Sequence, residues 1–289
     1  MATLFSATLD LAKILGNVME STSTEDGINA STTLIDTSFP RTPPPDDAFN
    51  YGTLWFITGN SKGVTRVVTD WDQSPKPTFT FDALALDVLE GDRYAFCDRD
   101  WPRDLLRQAV NSALQPIGGV PDTYTDATFI TVADQEAYTL PTGVYNVKRV
   151  EIASDKSAPY YYYQHNHWTE KDGAIYFDTG YEIHDAGYLI RLTYVVQPGE
   201  LDDDADTISD YIHPDLLKWE AATHALMAKQ PAMGEQQGWL QSRLAFAIQL
   251  SQSLRQRHPL PRMPKDPHLS PWAGPSKIVP DVDPGTVRL

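Results

Sequence analysis

Cysteine is nearly absent: the 289 residues contain one, Cys97. A single thiol excludes an internal disulfide framework and a thiolate zinc site, and it suits assembly in a reducing compartment. Its neighbours Phe96 and Asp98 do not stabilise a thiolate, so a half-buried structural cysteine is expected. Positive charge is also scarce. Lys and Arg number 23 against 39 Asp and Glu, a formal charge of −16. Proteins that grip nucleic acid by its phosphates carry the opposite sign, because Lys and Arg displace the counterions. The balance argues against tight DNA wrapping and is compatible with simple solubility, or with an acidic surface that DNA slides past. No apolar run approaches the ~20 residues that span a bilayer. The opening MATLFSATLDLAKILG lacks a basic stretch and a cleavage site, so neither a signal peptide nor a membrane partner is expected.

Catalytic signatures are missing as well. There is no HExxH or GxGxxG, and no pair of acids whose spacing alone makes a site. GNSKGVT places Gly59 and Gly63 around Lys62 between two strand patterns, so it reads as a turn and not as a phosphate loop. His165 and His167 can share one strand face, with His184 the nearest further candidate, but a metal needs more ligands than that. Asp202, Asp204 and Asp206 alternate like the start of a calcium loop. Thr207 stands where glycine is required and His213 where glutamate is required, so a solvated loop capping the next helix is the better account. No enzyme activity, cofactor or metal is expected.

What is present is a pattern of helices and strands. In DWPRDLLRQAVNSALQPIGG, Leu105, Leu106, Ala109, Val110, Ala113 and Leu114 form one apolar stripe. Asp100 is the expected cap, Pro102 lies in the first turn, and Pro116 with Gly118-Gly119 ends the helix. An amphipathic helix is expected over 4–20, with Leu4, Thr8, Leu11, Leu15 and Val18 on one side. Residues 21–30 read as a polar connector. Short strands over 32–97, punctuated by Gly and Pro, predict a small β-barrel or sandwich. An antiparallel sheet of four to six strands is expected over 127–196. Within it, two of the tyrosines Tyr160–Tyr163 are expected to face the core. Helices near 213–229 and 233–256, broken at Pro231, predict an αα-hairpin. The fold class is α+β: a small helical bundle core of N-terminal helix, central helix and αα-hairpin, with an antiparallel sheet, an inserted barrel or sandwich, and an extended tail.

That tail, residues 258–289, holds eight of the 22 prolines and cannot form a helix. It carries four cationic against three anionic side chains, which leaves −17 on the rest of the chain. Its apolar residues Leu260, Met263, Leu269, Trp272, Ile278, Val279, Val282 and Leu289 mark a segment built to lie along a partner.

Several of these stretches together resemble the head–tail adaptor (connector) proteins of tailed bacteriophages. They are the short first helix, then Trp101 with Leu105-Leu106 and Asn111-Ser112-Ala113. YTLPTGVYNVKRVEI (Tyr138 to Ile152) follows, then Trp168, GAIYF, the strand from Gly187 to Tyr194, and the acidic loop before a His-Pro helix. The likeness covers residues 1–20 and 98–257. It implies an adaptor core of 1–31 and 98–257, an inserted β-domain at 32–97 to which nothing carries over, and an arm at 258–289. It further implies a virion protein of the neck, assembled in the host cytoplasm. That protein would be a ring, with twelve copies expected, docked between the portal protein and tail, nozzle or tail-terminator proteins. The eight apolar arm residues would contact the portal or a neighbouring subunit, and DNA would pass without sequence-specific binding. The alternative is a receptor- or carbohydrate-binding tail component using Tyr160–Tyr163. A hydrolase with a scattered site would need His165 or His167 to matter for an activity.

Overall fold

A computed structural model describes residues 2–16, 18–27, 31–39, 45–178, 185–229 and 237–259. In chain order the elements begin with β1 (Ala2–Thr3), α1 (Leu4–Leu15), β2 (Val18–Thr22), β3 (Thr33–Ile35), β4 (Thr53–Phe56), β5 (Thr65–Asp72), β6 (Thr78–Phe81) and β7 (Arg93–Cys97). Next come α2 (Arg103–Ile117), β8 (Val120–Ile130), β9 (Ala137–Thr139), β10 (Val147–Ala153), β11 (Tyr162–His165), β12 (Trp168–Lys171), β13 (Ala174–Phe177) and β14 (Leu189–Val196). The last are β15 (Thr207–Ile208), α3 (Pro214–Lys229) and α4 (Gln237–Arg257). The chain is thus α+β, and none of its sheets closes into a barrel among the described residues. It divides into two compact units, residues 1–120 with 197–261, and residues 121–196.

In the first unit, α1 starts at a capping box. The Thr3 hydroxyl accepts from the Ser6 amide and the Ser6 hydroxyl accepts from the Thr3 amide, which satisfies donors the first turn leaves open. The helix stops at Gly16, whose φ of +90° few side chains adopt. The expectation of a helix to residue 20 is therefore corrected. Val18 continues the apolar period by coincidence, and Val18–Thr22 is a strand paired with β7. α2 begins at Arg103 after Pro102, with no side-chain cap. Asp100 does not cap it, because the N-cap position falls two residues later, at Pro102. Asp104 supplies the negative charge of the first turn. Pro116 rides inside the last turn, and Gly118 ends the helix.

The four described helices pack through small residues. α2 lies against α1 and α3, and α3 lies against α1 and α4. Ala12, Ala109, Ala113, Ala221, Ala222 and Ala225 are buried, together with Leu106, Val110 and Leu217. α3 and α4 run antiparallel, since His213 stacks on His258 while Glu220 pairs with Arg255. Along α4, Leu240, Leu244, Ala247, Ser251 and Leu254 are buried, whereas Leu250, expected on the same stripe, is half-buried. Its expected start near residue 233 lies outside the described residues.

The same unit holds an open, antiparallel six-stranded sheet in the order β2-β7-β4-β5-β6-β3. A single bridge, Glu25 to Ile35, joins the segment after β2 to β3. The core is aromatic: Trp71 and Phe79 lie 4.5 Å apart, with Phe39, Phe49, Phe56, Phe81, Tyr94 and Phe96 around them. One carboxylate, Asp36, is fully buried at this core. It accepts from the hydroxyls of Ser21, Ser38 and Tyr94 and from the Ser38 amide. A buried carboxylate persists only when its lone pairs are met in this way. Trp55 on β4 reaches α1 through a buried hydrogen bond to the Thr8 hydroxyl.

The second unit contains two antiparallel sheets where a single one was expected. One has the order β11-β10-β14-β8 and the other β12-β13-β9. The β-structure also starts earlier than the expected residue 127, since β8 begins at Val120. Tyr138, Val144, Val147, Val150, Trp168, Ile175, Phe177, Ile190 and Leu192 form its core.

Candidate functional site

The GNSKG segment is a turn between β4 and β5, with Gly59 at φ +82° and Gly63 at +86°. A Cβ at Gly59 would stand 2.0 Å from the Asp92 carboxylate, so glycine is required there and no phosphate loop is formed.

In the first turn of α3 the imidazole Nδ1 of His213 accepts from the Asp215 amide at 3.3 Å. In the acidic segment after β14, Asp204 accepts from the Thr65 amide (2.7 Å), the Thr65 hydroxyl (2.6 Å) and the Arg103 guanidinium (3.2 Å). Asp202 pairs with Arg107 at 2.8 Å. Asn111 exchanges two hydrogen bonds with the Leu201 backbone. The carbonyls of Asp204 and Asp206 accept the first amides of α1, those of Phe5 and Leu4. The Asp206 carboxylate accepts from the amides of Asp202 and Asp203, which holds it below the ordinary carboxylate value. The loop is therefore a strap that fastens β5, α1 and α2. Sequence reasoning missed this clamp, because Thr65, Arg103 and Asp204 share no local spacing.

His165 is half-buried, its ring 4.7 Å from Phe177 and 6.3 Å from His167. Its Nε2 has no hydrogen-bond partner, and burial holds its pKa below the ordinary 6.5. His184 lies outside the described residues. No group of three or more His, Cys, Asp or Glu suited to a metal occurs among those described. Cys97 is fully buried, beyond the half-burial expected, and burial with the nearby Asp98 and Asp100 pushes its thiol up to about 12. No described helix is long and apolar enough to cross a membrane.

The tyrosine run is more exposed than expected. None of its four residues is buried, and Tyr161 and Tyr163 are 65% and 67% exposed. The reason is position. β11 is an edge strand whose Tyr163 stands opposite Ile152, which in turn stands opposite the buried Ile190. The core face of the sheet runs outward along this row and ends uncovered at Tyr163. On the other face the row is polar: Glu151 and Arg191 stand opposite each other in a two-pronged ion pair at 2.9 and 3.0 Å. The Arg191 guanidinium lies 3.9 Å over the Tyr162 ring. Tyr162 thus packs on a cation and not in an apolar core.

A second exposed surface lies on α4. Trp239 is 49% and Phe246 55% exposed, with Arg243 over the Trp239 ring and Trp219 edge-on to Phe246. Their i, i+4, i+7 spacing is a second stripe beside the Leu240–Leu244–Ala247 core stripe, a signal present in the sequence. Leu260, Met263, Leu269, Trp272, Ile278, Val279, Val282 and Leu289 all lie outside the described residues.

The family model described as SU10 adaptor protein matches residues 80–265, well over half of the chain. No curated protein matches it significantly.

Proposed function

The chain belongs to the SU10 adaptor protein family, a family of phage adaptor structural proteins, and from that premise we propose a ring-forming component of the virion neck. In this reading the ring docks under the portal protein, joins it to tail proteins and lines the passage for DNA, with twelve copies as the expected number. The family match carries the proposal. Three features support it. The charge of −16 suits a surface past which DNA moves without being held. The exposed Trp239–Arg243–Phe246 stripe offers α4 a surface to bury between subunits. The sequence of residues 258–289, with its apolar residues from Leu260 to Leu289, suits a segment laid on the portal or a neighbouring subunit. The exposed Tyr161 and Tyr163 favour a second reading, a receptor- or carbohydrate-binding tail component.

The test is light-scattering mass on size exclusion, for the protein alone and mixed with the portal protein from the same genome. A co-eluting complex that is lost when residues 258–289 are removed supports the adaptor reading. A monomer that ignores the portal rejects it. Glycan binding that vanishes on replacing Tyr161 and Tyr163 would then support the second reading.

A further inference from the structure

We propose that the tyrosine edge of β11 is a docking surface for this chain's own proline segment, Pro261 to Pro267. The inference does not depend on the neck reading.

The surface is built for an aromatic-lined contact. Tyr161 and Tyr163 lie two positions apart on an extended edge, since the ladder continues past β11 through the Ser154 amide to the Tyr161 carbonyl. That spacing sets their Cβ atoms roughly 6.6 Å apart, room for one saturated ring between two aromatic ones. Both rings are uncovered, and Tyr163 continues the apolar row of Ile190 and Ile152 to the sheet margin. Tyr160 and Tyr162 lie together on the opposite side of the same strand, 6.4 Å apart. Among the described residues no strand pairs with the outer side of β11.

The occupant is argued from the sequence. Residues 261–267 read Pro-Arg-Met-Pro-Lys-Asp-Pro, a proline at every third position. That period matches the three-residue turn of polyproline II, which has no internal hydrogen bonds and presents its carbonyls outward. Tyrosine-lined surfaces recognise such segments by stacking on the prolines and donating hydroxyls to those carbonyls, at little ordering cost. Charge favours the pairing. Residues 121–196 carry eleven Asp and Glu against five Lys and Arg, whereas 261–267 carry Arg262 and Lys265 against Asp266.

The experiment uses the full-length chain with a photo-crosslinking p-benzoylphenylalanine replacing Tyr161, Tyr163 or, as a control, the equally exposed Tyr51 of the other unit. Crosslinked peptides are identified by mass spectrometry. The expected result is that positions 161 and 163 capture residues 259–267 and position 51 does not. Adding the substitutions Pro261→Ala, Pro264→Ala and Pro267→Ala should cut that yield about ten-fold, the effect of losing one well-packed anchor. Mixing isotope-labelled and unlabelled chains reads whether the segment comes from the same copy or a neighbour, and capture from either supports the proposal. It is overturned if positions 161 and 163 capture the segment no better than position 51. It is equally overturned if they capture only β11 of a second copy, or if the alanine substitutions leave the yield unchanged.

Discussion

Asp204 accepts three hydrogen bonds in the first unit, two from Thr65 and one from Arg103. Removing it leaves the Thr65 amide and a half-buried guanidinium without their carboxylate. Asp204→Ala should therefore cost about 2–3 kcal/mol in urea unfolding, the range for bonds to a charged group. Asp202→Ala removes only a salt bridge whose carboxylate is exposed, and it should change stability by about 0.5 kcal/mol or less. His165 makes a pH prediction for the second unit. Burial lowers its folded pKa below 6.5, so the unfolded chain takes up the proton first as pH falls. The neutral imidazole's stabilisation is complete above the unfolded value and drains away as pH drops through it. The midpoint of the second unit's transition should thus fall between pH 7 and pH 5, and His165→Leu should flatten that part of the profile. A midpoint that falls equally in the variant would reject this assignment.

Elements with a strong local period were legible, and those defined by a distant partner were not. The stripe of α2 reads directly as a helix face: Leu106, Ala109, Val110, Ala113 and Leu114 are buried, and Leu105 at its margin is half-buried. The period of α1 runs on past the helix because Val18 fits it, whereas the pairing of Val18–Thr22 with β7 depends on residues far along the chain. The barrel or sandwich expected over 32–97 is one six-stranded sheet that also takes in β2 and is joined at its ends by the Glu25–Ile35 bridge without closing, since strand count and turn spacing do not reveal how the last strands meet. The same limit applies to the tyrosine run: alternation assigns two faces to a strand but does not say that β11 is an edge. At the helix contacts, alanines set the approach. Ala221 on α3 is fully buried among helices that pack closely, so Ala221→Leu should overfill the contact and cost about 1–3 kcal/mol. A thermal midpoint equal to that of the parent protein would show that the helices can move apart freely.

The whole molecule consists of two units with separate cores. A single all-or-none transition is then not guaranteed. Calorimetry should resolve two transitions, and Ile175→Ala, which empties a buried site in the second unit, should lower only one of them, by about 2–5 kcal/mol. A uniform shift of a single peak would reject independence. The strap carries a further consequence, for the timing of biosynthesis. α1 is made long before its partners in the strap: the preceding strand β1 pairs Thr3 with Thr207, and the carbonyls that accept the helix's opening amides belong to Asp204 and Asp206. Those partners are translated about 200 residues later, ten seconds or more at ~5–20 residues per second. Through that interval α1 can meet β4 and α2 but neither the strap nor α3, so the first unit closes only once α3 has been made. A ribosome that stalls before the strap emerges releases a chain in which the opening amides of α1 lack their acceptors.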